Sequence, residues 1–406
     1  MKQNISMETH RSQMETILLV AGIIFVASNL RAPITALGPL IGSIIDETHL
    51  SNSSAGMLTT LPLLAFAALS LLAPKLARLF GIERILFSSL LLLCLGIFLR
   101  SVPSLPLLFI GTALIGLAIA IGNVLLPSLI KRDFPHRVGL LTGIYTMSMS
   151  IWAAIASGVS IPISQGLGLG WRNALLIWGI LTLMAVAVWL PLVRSRRQLT
   201  QQGSTGSELN LWFSKVSWQV TFFMGLQSIG FYSTIAWLPE VLHDRGISLA
   251  TAGLMLSIMQ FVSLPVTFIV PLLAGRLPHQ RGIVAITGLL FLIGYAGLIY
   301  GGASLIKLSI LVIGLGQGAS ISLALTMFGL RTSNAREAAE LSGMAQSIGY
   351  LLAAIGPVLF GLFHDLTDSW IVSLLFLLAA SLLQFLAGLG AGRNVKVSQE
   401  QREKAA

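Results

Sequence analysis

Val26-Ala-Ser-Asn-Leu-Arg-Ala-Pro-Ile-Thr35 is the passage on which the reading of this chain turns. It lies inside an apolar stretch running from about residue 16 to about residue 38, long enough to cross the roughly 30 Å hydrocarbon core of a bilayer. Arg31 sits well within that stretch. Almost every other charge falls between apolar stretches or near their ends. A guanidinium keeps its proton in a protein, so it must meet water, a carboxylate or an anionic ligand. A charge held at membrane depth points to a functional site. The competing reading is an arginine that snorkels to the outer surface or caps a helix end. The polar outer loop begins only near Asp46, which favours the first reading.

Outward from this passage the apolar pattern recurs along the whole chain. Stretches of about 20 residues, the length a spanning helix needs, fall at about 16–38, 53–74, 84–101, 105–130, 138–163, 172–193, 217–239, 250–273, 282–301, 305–330, 337–362 and 370–391. The composition agrees: 55% of the 406 residues are hydrophobic and 10% charged, against about 25% charged in soluble domains. In lipid every backbone polar group must be satisfied internally, so the expected fold is an all-α bundle of twelve transmembrane helices. The first stretch has no clear small-residue cleavage site after it and reads as a retained helix.

Charge placement predicts the orientation. Of the 25 Lys and Arg, Arg100, Arg172, Arg245 and Lys307 fall on one side and Arg31 within a span. All the rest fall on the other side, which also carries both termini. The positive-inside rule makes that side cytoplasmic. The net charge of +10 is then a signal for topology and anionic lipid, and is spread too thinly over short loops to suggest nucleic acid. The region Arg194–Lys215 runs through Arg-Ser-Arg-Arg and Gln-Gln-Gly-Ser-Thr-Gly-Ser and reads as a flexible linker. This divides the chain into an N-terminal six-helix bundle (1–194), a cytoplasmic linker (195–215) and a C-terminal six-helix bundle (216–406). Matches at an offset of 200 support a repeat: Gly116 with Gly316, Lys131 with Arg331, and Leu141-Thr-Gly143 with Leu341-Ser-Gly343. Parallel repeats of this kind place substrate near the midplane between them.

Other chemistries find little support. Cys94 is a lone cysteine and reads as a packing residue. The six His show no metal-ligand spacing, so neither a metal nor a cofactor is expected. No GxxxxGK[ST] run exists to bind ATP, and no Ser-His-Asp set suggests an enzyme. Gly314-Leu-Gly-Gln-Gly318 lies within an apolar span and lacks the strand-turn-helix context of a nucleotide loop. Its outer glycines lie on one helix face and suit close helix contact. No Asp or Glu lies near the middle of any span, where a pump that carries protons on its own carboxylates keeps one.

The polar and aromatic residues within spans supply the candidate substrate site. Arg31 and Thr35 are four apart on the first helix and share a face. Asn123 lies on the fourth, Tyr145 and Trp152 on the fifth, Gln227 and Tyr232 on the seventh, Gln317 on the tenth, and Gln346 and Tyr350 on the eleventh. Each taken singly also suits an interhelical hydrogen bond or core packing. Together they offer one fixed cation, several amides and aromatic walls, which fits a small planar or anionic solute.

Longer runs now carry a resemblance. Asn29-Leu-Arg-Ala-Pro33, Leu58-Thr-Thr-Leu-Pro-Leu-Leu-Ala-Phe66, Gly122-Asn-Val-Leu-Leu-Pro-Ser-Leu-Ile-Lys-Arg-Asp-Phe-Pro135 and Leu341-Ser-Gly-Met-Ala-Gln-Ser-Ile-Gly-Tyr-Leu-Leu-Ala-Ala354 resemble the cyanate and nitroimidazole transporter branch of the major facilitator superfamily. The resemblance covers the whole chain. It implies a bacterial inner-membrane transporter for small anions or nitro-heteroaromatics, with Arg31 and Asn123 in the cavity. One place departs from the wider superfamily. Its second-to-third-helix loop usually reads GxLADRxGRR, whereas here Arg78, in Pro74-Lys-Leu-Ala-Arg-Leu-Phe-Gly-Ile-Glu-Arg84, stands where an Asp is expected. The Gly-Pro pair typical of the fifth helix of drug–proton antiporters is also missing there, since Gly356-Pro357 lies in the eleventh. The expectation is a monomeric secondary transporter working by alternating access on a small-molecule substrate, embedded in membrane lipid with both termini cytoplasmic. The alternatives are an exporter of hydrophobic drugs, in which Arg31 only stabilises the fold, and a solute-binding membrane sensor.

Overall fold

In a computed structural model, residues 13–50, 52–193 and 211–400 are described. Among them there is no strand. The helices are α1 (Gln13–Asn29), α2 (Ala32–Thr35), α3 (Ile41–Thr48), α4 (Asn52–Ser70), α5 (Ala73–Phe80), α6 (Ile82–Ser101), α7 (Leu105–Asp133), α8 (Val138–Ile161), α9 (Gly170–Leu176) and α10 (Trp178–Val193). Beyond residue 210 come α11 (Lys215–His243), α12 (Leu249–Arg276), α13 (Arg281–Tyr300), α14 (Ala303–Leu330), α15 (Ala335–Thr367) and α16 (Trp370–Ala391). Most of the expected linker, and both ends of the chain, lie outside the described residues.

Among the described residues ten helical stretches are long and apolar enough to cross a membrane, or eleven when α4 and α5, bent by 52°, are taken as one span. The expected twelve is not reached on these terms, because α11 is long but too polar. It carries Gln219, Gln227, Ser228, Ser233 and Thr234 along a helix whose polar groups face other helices.

The first span is broken, and Pro33 explains where. A proline ring removes one N–H and crowds the carbonyl four residues earlier, here that of Asn29, where α1 ends. Leu30 N–H bonds Ala27 at 3.0 Å, a tighter turn, and Arg31 takes φ −126° before α2 begins. Pro62, Pro127, Pro265 and Pro357, by contrast, lie inside continuous helices.

Small residues set the packing. A β-carbon at Gly314 would lie 2.4 Å from the Met259 carbonyl, and one at Gly318 2.6 Å from that of Ser263. The glycine pair therefore lays α14 directly on α12, as its spacing predicts. Two seams join helices before residue 194 to helices after 214. In one, α8 meets α12: Gly139 abuts Pro271, Gly143 abuts Phe268, and the Thr146 hydroxyl donates to Thr267 O at 3.0 Å. In the other, α15 meets α4 and α7: Ser347 donates to Ala67 O at 2.5 Å, and Ser128 to Ala335 O at 2.7 Å. Both seams lie toward the end where α8 and α15 begin and α7 and α12 finish. At that end Arg78 bonds Glu340 of α15 at 2.8 Å, and Arg336 joins the same carboxylate at 3.1 Å. The base stands on α5 and the acid on α15, and at this exposure such a pair contributes under about 1 kcal/mol.

Candidate functional site

The break in the first span places Arg31 at the N-cap position of α2, with no side-chain cap. The residue is half-buried, and its guanidinium reaches across to α11. Nη1 donates to the Tyr232 hydroxyl at 3.4 Å, and Cζ lies 5.3 Å from the Phe231 ring centre, a cation–π distance. The two rings are edge to face at 5.1 Å. Among the described residues no carboxylate pairs with Arg31. Tyr145 of α8 and Tyr350 of α15 lie within electrostatic reach of it. The cation thus meets phenols and a phenyl ring and keeps most of its donors uncommitted. Phenol dipoles soften the cost of burying it without cancelling its charge, which leaves it able to attract an anion or a nitro group.

At 1.5 Å per residue, Arg31 lies about 27 Å beyond the start of α1, and Tyr232 about 26 Å along α11. Nearer the end where both seams lie, Gln346 Nε2 donates to Asn123 O at 3.0 Å and to Ser342 at 2.7 Å, joining α15 to α7. Gln346 Oε1 and the Tyr145 hydroxyl are buried and take no hydrogen-bond partner in the structure. Such groups carry a desolvation cost until something satisfies them. A bound solute with both donor and acceptor atoms would do so.

The ten candidates separate into groups. Arg31, Tyr145, Tyr232 and Tyr350 come together, with Asn123 and Gln346 below them. Thr35 follows Arg31 by one helical turn, its N–H on Arg31 O at 3.0 Å, but its hydroxyl is taken up locally: it donates to Arg31 O at 3.1 Å and to Ala153 O of α8 at 3.2 Å. Trp152 packs edge-on against Trp178 at 6.3 Å. Gln227 bonds its own helix, at Ser228 Oγ 2.7 Å and Met224 Sδ 3.4 Å. Gln317 is buried on α14, its amide nitrogen without a partner.

Sequence reasoning did not single out Phe66, whose ring lies 4.9 Å from Tyr350; it put Phe231 on a face with Gln227, whereas the structure sets the Phe231 ring beside Arg31. It also placed Arg100 with the outer-side charges, yet the structure buries it to 1% exposure. The signal was present in its position on the last turn of an apolar helix facing a glycine-rich neighbour.

Asn29, two residues before Arg31, has a different role. It is fully buried; its amide donates to Phe25 O at 2.8 Å and Leu181 O at 3.3 Å, and its oxygen accepts from Thr182 at 2.6 Å. It pins the end of α1 to α10. Asn29→Ala strands these groups and should lower stability by about 1–3 kcal/mol. The check is a fall in apparent Tm with binding per folded molecule retained; an unchanged Tm would show that the pin contributes nothing.

Residues 17–357 match the family profile described as Major Facilitator Superfamily. The chain is 51% identical to the "Uncharacterized transporter YycB" of Bacillus subtilis, over 97% of this chain and 98% of that one. It is 45% identical to the 2-nitroimidazole transporter of Escherichia coli, over 96% and 99%. It is 25% identical to that organism's cyanate transport protein CynX, over 87% and 92%. Among solved structures, the proton:xylose symporter XylE superposes with a TM-score of 0.74 at 15% identity, covering 96% of this chain and 99% of that one. That likeness is one of fold. With most of its length matched by the profile and near-complete alignment to two bacterial transporters, the chain belongs to the major facilitator superfamily, as a multi-pass membrane transporter.

Proposed function

We propose that this transporter moves a small planar anion or nitro-heteroaromatic solute across the bacterial cytoplasmic membrane by alternating access, with Arg31 as the fixed cation of its site. The observation that carries this reading is the guanidinium set at a helix break, opposed by Tyr232 and Phe231 instead of a carboxylate. A cation neutralised by an acid would have little left for a solute. The relatives support the class: one is named a 2-nitroimidazole transporter and one a cyanate transport protein. The buried acids of the described residues sit at helix ends, as Glu83 does where it bonds Arg132 at 2.5 Å. Either a proton travels with the solute, or transport is uncoupled, or the coupling group is not a carboxylate at membrane depth.

A thermal-shift series on purified protein tests this. 2-Nitroimidazole and cyanate at rising concentration should raise the apparent Tm, because a ligand of the folded state stabilises it by mass action. The shift should vanish in Arg31→Ala. No shift with either compound, or an equal shift in the variant, would sink the reading.

Counting α11 and the α4–α5 pair as spans makes twelve, in two six-helix halves joined by the 195–215 linker, with both termini on the cytoplasmic side. The two seams would then close the cytoplasmic end and open in the alternate state. Ser204, outside the described residues, offers the check. In a Cys94→Ala background, Ser204→Cys should resist membrane-impermeant thiol reagents in intact cells and react after permeabilisation. Ready labelling of intact cells would invert the topology.

A further inference from the structure

Breaking the first span leaves carbonyl oxygens that the helix no longer satisfies, and a buried carbonyl without a donor is costly. Neighbouring side chains take them up one by one. Ser157 of α8 donates to Thr35 O at 3.2 Å, and Ser160 to Ala36 O at 3.0 Å. Pro33 O is not capped by the following turn, where Leu37 N–H bonds Ile34 O at 3.2 Å instead. It accepts from Arg100 Nη1 at 2.7 Å. Arg100 lies on the last turn of α6 and is buried to 1% exposure, and its Nε and Nη2 take no partner. Among the described residues no carboxylate pairs with it.

Two hydroxyls suffice for the neighbouring carbonyls, whereas a buried guanidinium at Pro33 is far more expensive. Its charged hydrogen bond is also about twice as strong as a neutral one. The backbone at Arg100 is held in place. A β-carbon at Gly111 of α7 would lie 2.4 Å from Arg100 N and 2.8 Å from its Cα, so the α7 backbone lies directly against that of Arg100. From this fixed mount the buried guanidinium bonds the carbonyl two residues beyond Arg31.

We propose that Arg100 is a positioning residue for Arg31: its grip on the Pro33 carbonyl holds the break in the conformation that turns the Arg31 side chain toward Tyr232 and Phe231 of α11. The importance of that positioning for transport rests on the reading of Arg31 as the fixed cation. The geometric claim does not, and its test needs no ligand.

The test uses Arg31→Cys in a Cys94→Ala background, as purified full-length protein reacted with a charged, water-soluble thiol reagent. The thiol should label readily. Adding Arg100→Leu or Arg100→Gln should slow labelling by about tenfold, the size of bias one charged hydrogen bond exerts on a local equilibrium. Arg100→Lys should restore most of the rate. Tyr232→Cys, on α11 and beyond Arg100's reach, should label at the same rate whatever stands at position 100; a general loosening of the fold would alter both sites. Parental labelling of Arg31→Cys with Leu or Gln at 100 would overturn the proposal, as would a Lys variant as slow as Leu. Aggregation of both the Leu and Gln variants would also overturn it, making Arg100 a cation needed by the fold. If labelling follows the prediction while wild-type protein binds neither 2-nitroimidazole nor cyanate, the positioning stands and the functional reading falls.

Discussion

Arg31→Ala should abolish transport, with a loss of solute affinity of about 1.5–3 kcal/mol, or roughly ten- to hundredfold. The guanidinium is the cation at the break, and its donors are only lightly engaged by the Tyr232 hydroxyl at 3.4 Å. Arg31→Lys keeps the charge but loses the planar fork and its stacking against Phe231, so it should retain weak transport at most. Both variants should insert and elute as monodisperse protein, because removing a charge from membrane depth relieves desolvation. Uptake or efflux of labelled 2-nitroimidazole in cells, paired with size-exclusion profiles, reads both outcomes. Normal transport by Arg31→Ala would make the residue a bystander. Loss of the fold would make it structural, and the site would then have to be sought among Asn123, Gln227, Gln317 and Gln346.

The second large effect is expected at Gly139. Even the single β-carbon of an alanine would lie 2.3 Å from Pro271 O, and 3.1 Å from the Gly275 Cα on the facing helix. The α8–α12 seam cannot close around it without backbone movement. Overpacking of this kind costs about 1–3 kcal/mol, enough to shift an open–closed equilibrium by roughly 5- to 150-fold. Gly139→Ala should therefore favour the form in which this seam is parted and should slow turnover. Thr146→Cys, at the buried Thr146–Thr267 contact, reports on it: labelling should accelerate when Gly139→Ala is added. Gly158, also on α8, has nothing within 4 Å of an added β-carbon, so Gly158→Ala should leave labelling and transport unchanged. Identical labelling in the two alanine variants would mean that the seam does not move.

What was legible in the sequence follows the reach of each signal. Apolar length shows where helices lie, because lipid admits no irregular backbone. Gly314 and Gly318 predicted a close helix contact because i, i+4 spacing is local. Pro33 marked the place where the first helix is distorted. The i, i+4 spacing of Arg31 and Thr35 survives in the turn after the break, where Thr35 N–H bonds Arg31 O at 3.0 Å, but the spacing did not show that the Thr35 hydroxyl goes to Ala153 O of α8. Arg100 was read only as an outer-side charge; its burial depends on α7 pressing against it, and its own segment shows only that it ends an apolar helix. The Phe66–Tyr350 and Arg78–Glu340 contacts join residues hundreds of positions apart. No periodicity carries that information. The α5–α15 pair was only half legible: Arg78 stood where an acid was expected, but nothing marked Glu340 as its partner.

The polarity of α11 bears on how the chain is made. This helix packs chiefly against α15 and α16, which leave the ribosome after it. Gly225 lies against Gly349 and Leu352, Gly356 against Ser233 and Ile229, and Gly388 against Phe223. With its glutamines, serines and threonines bare, α11 partitions poorly into lipid on its own. On the proposed twelve-span arrangement, it becomes a comfortable span only once the last two long helices arrive to cover it. Nascent chains halted before residue 335 should therefore hold this segment loosely at the insertion machinery. Substitutions in α15 that spoil its fit to α11 should appear first as degraded, half-inserted protein, before any change in the transport rate of the molecules that survive.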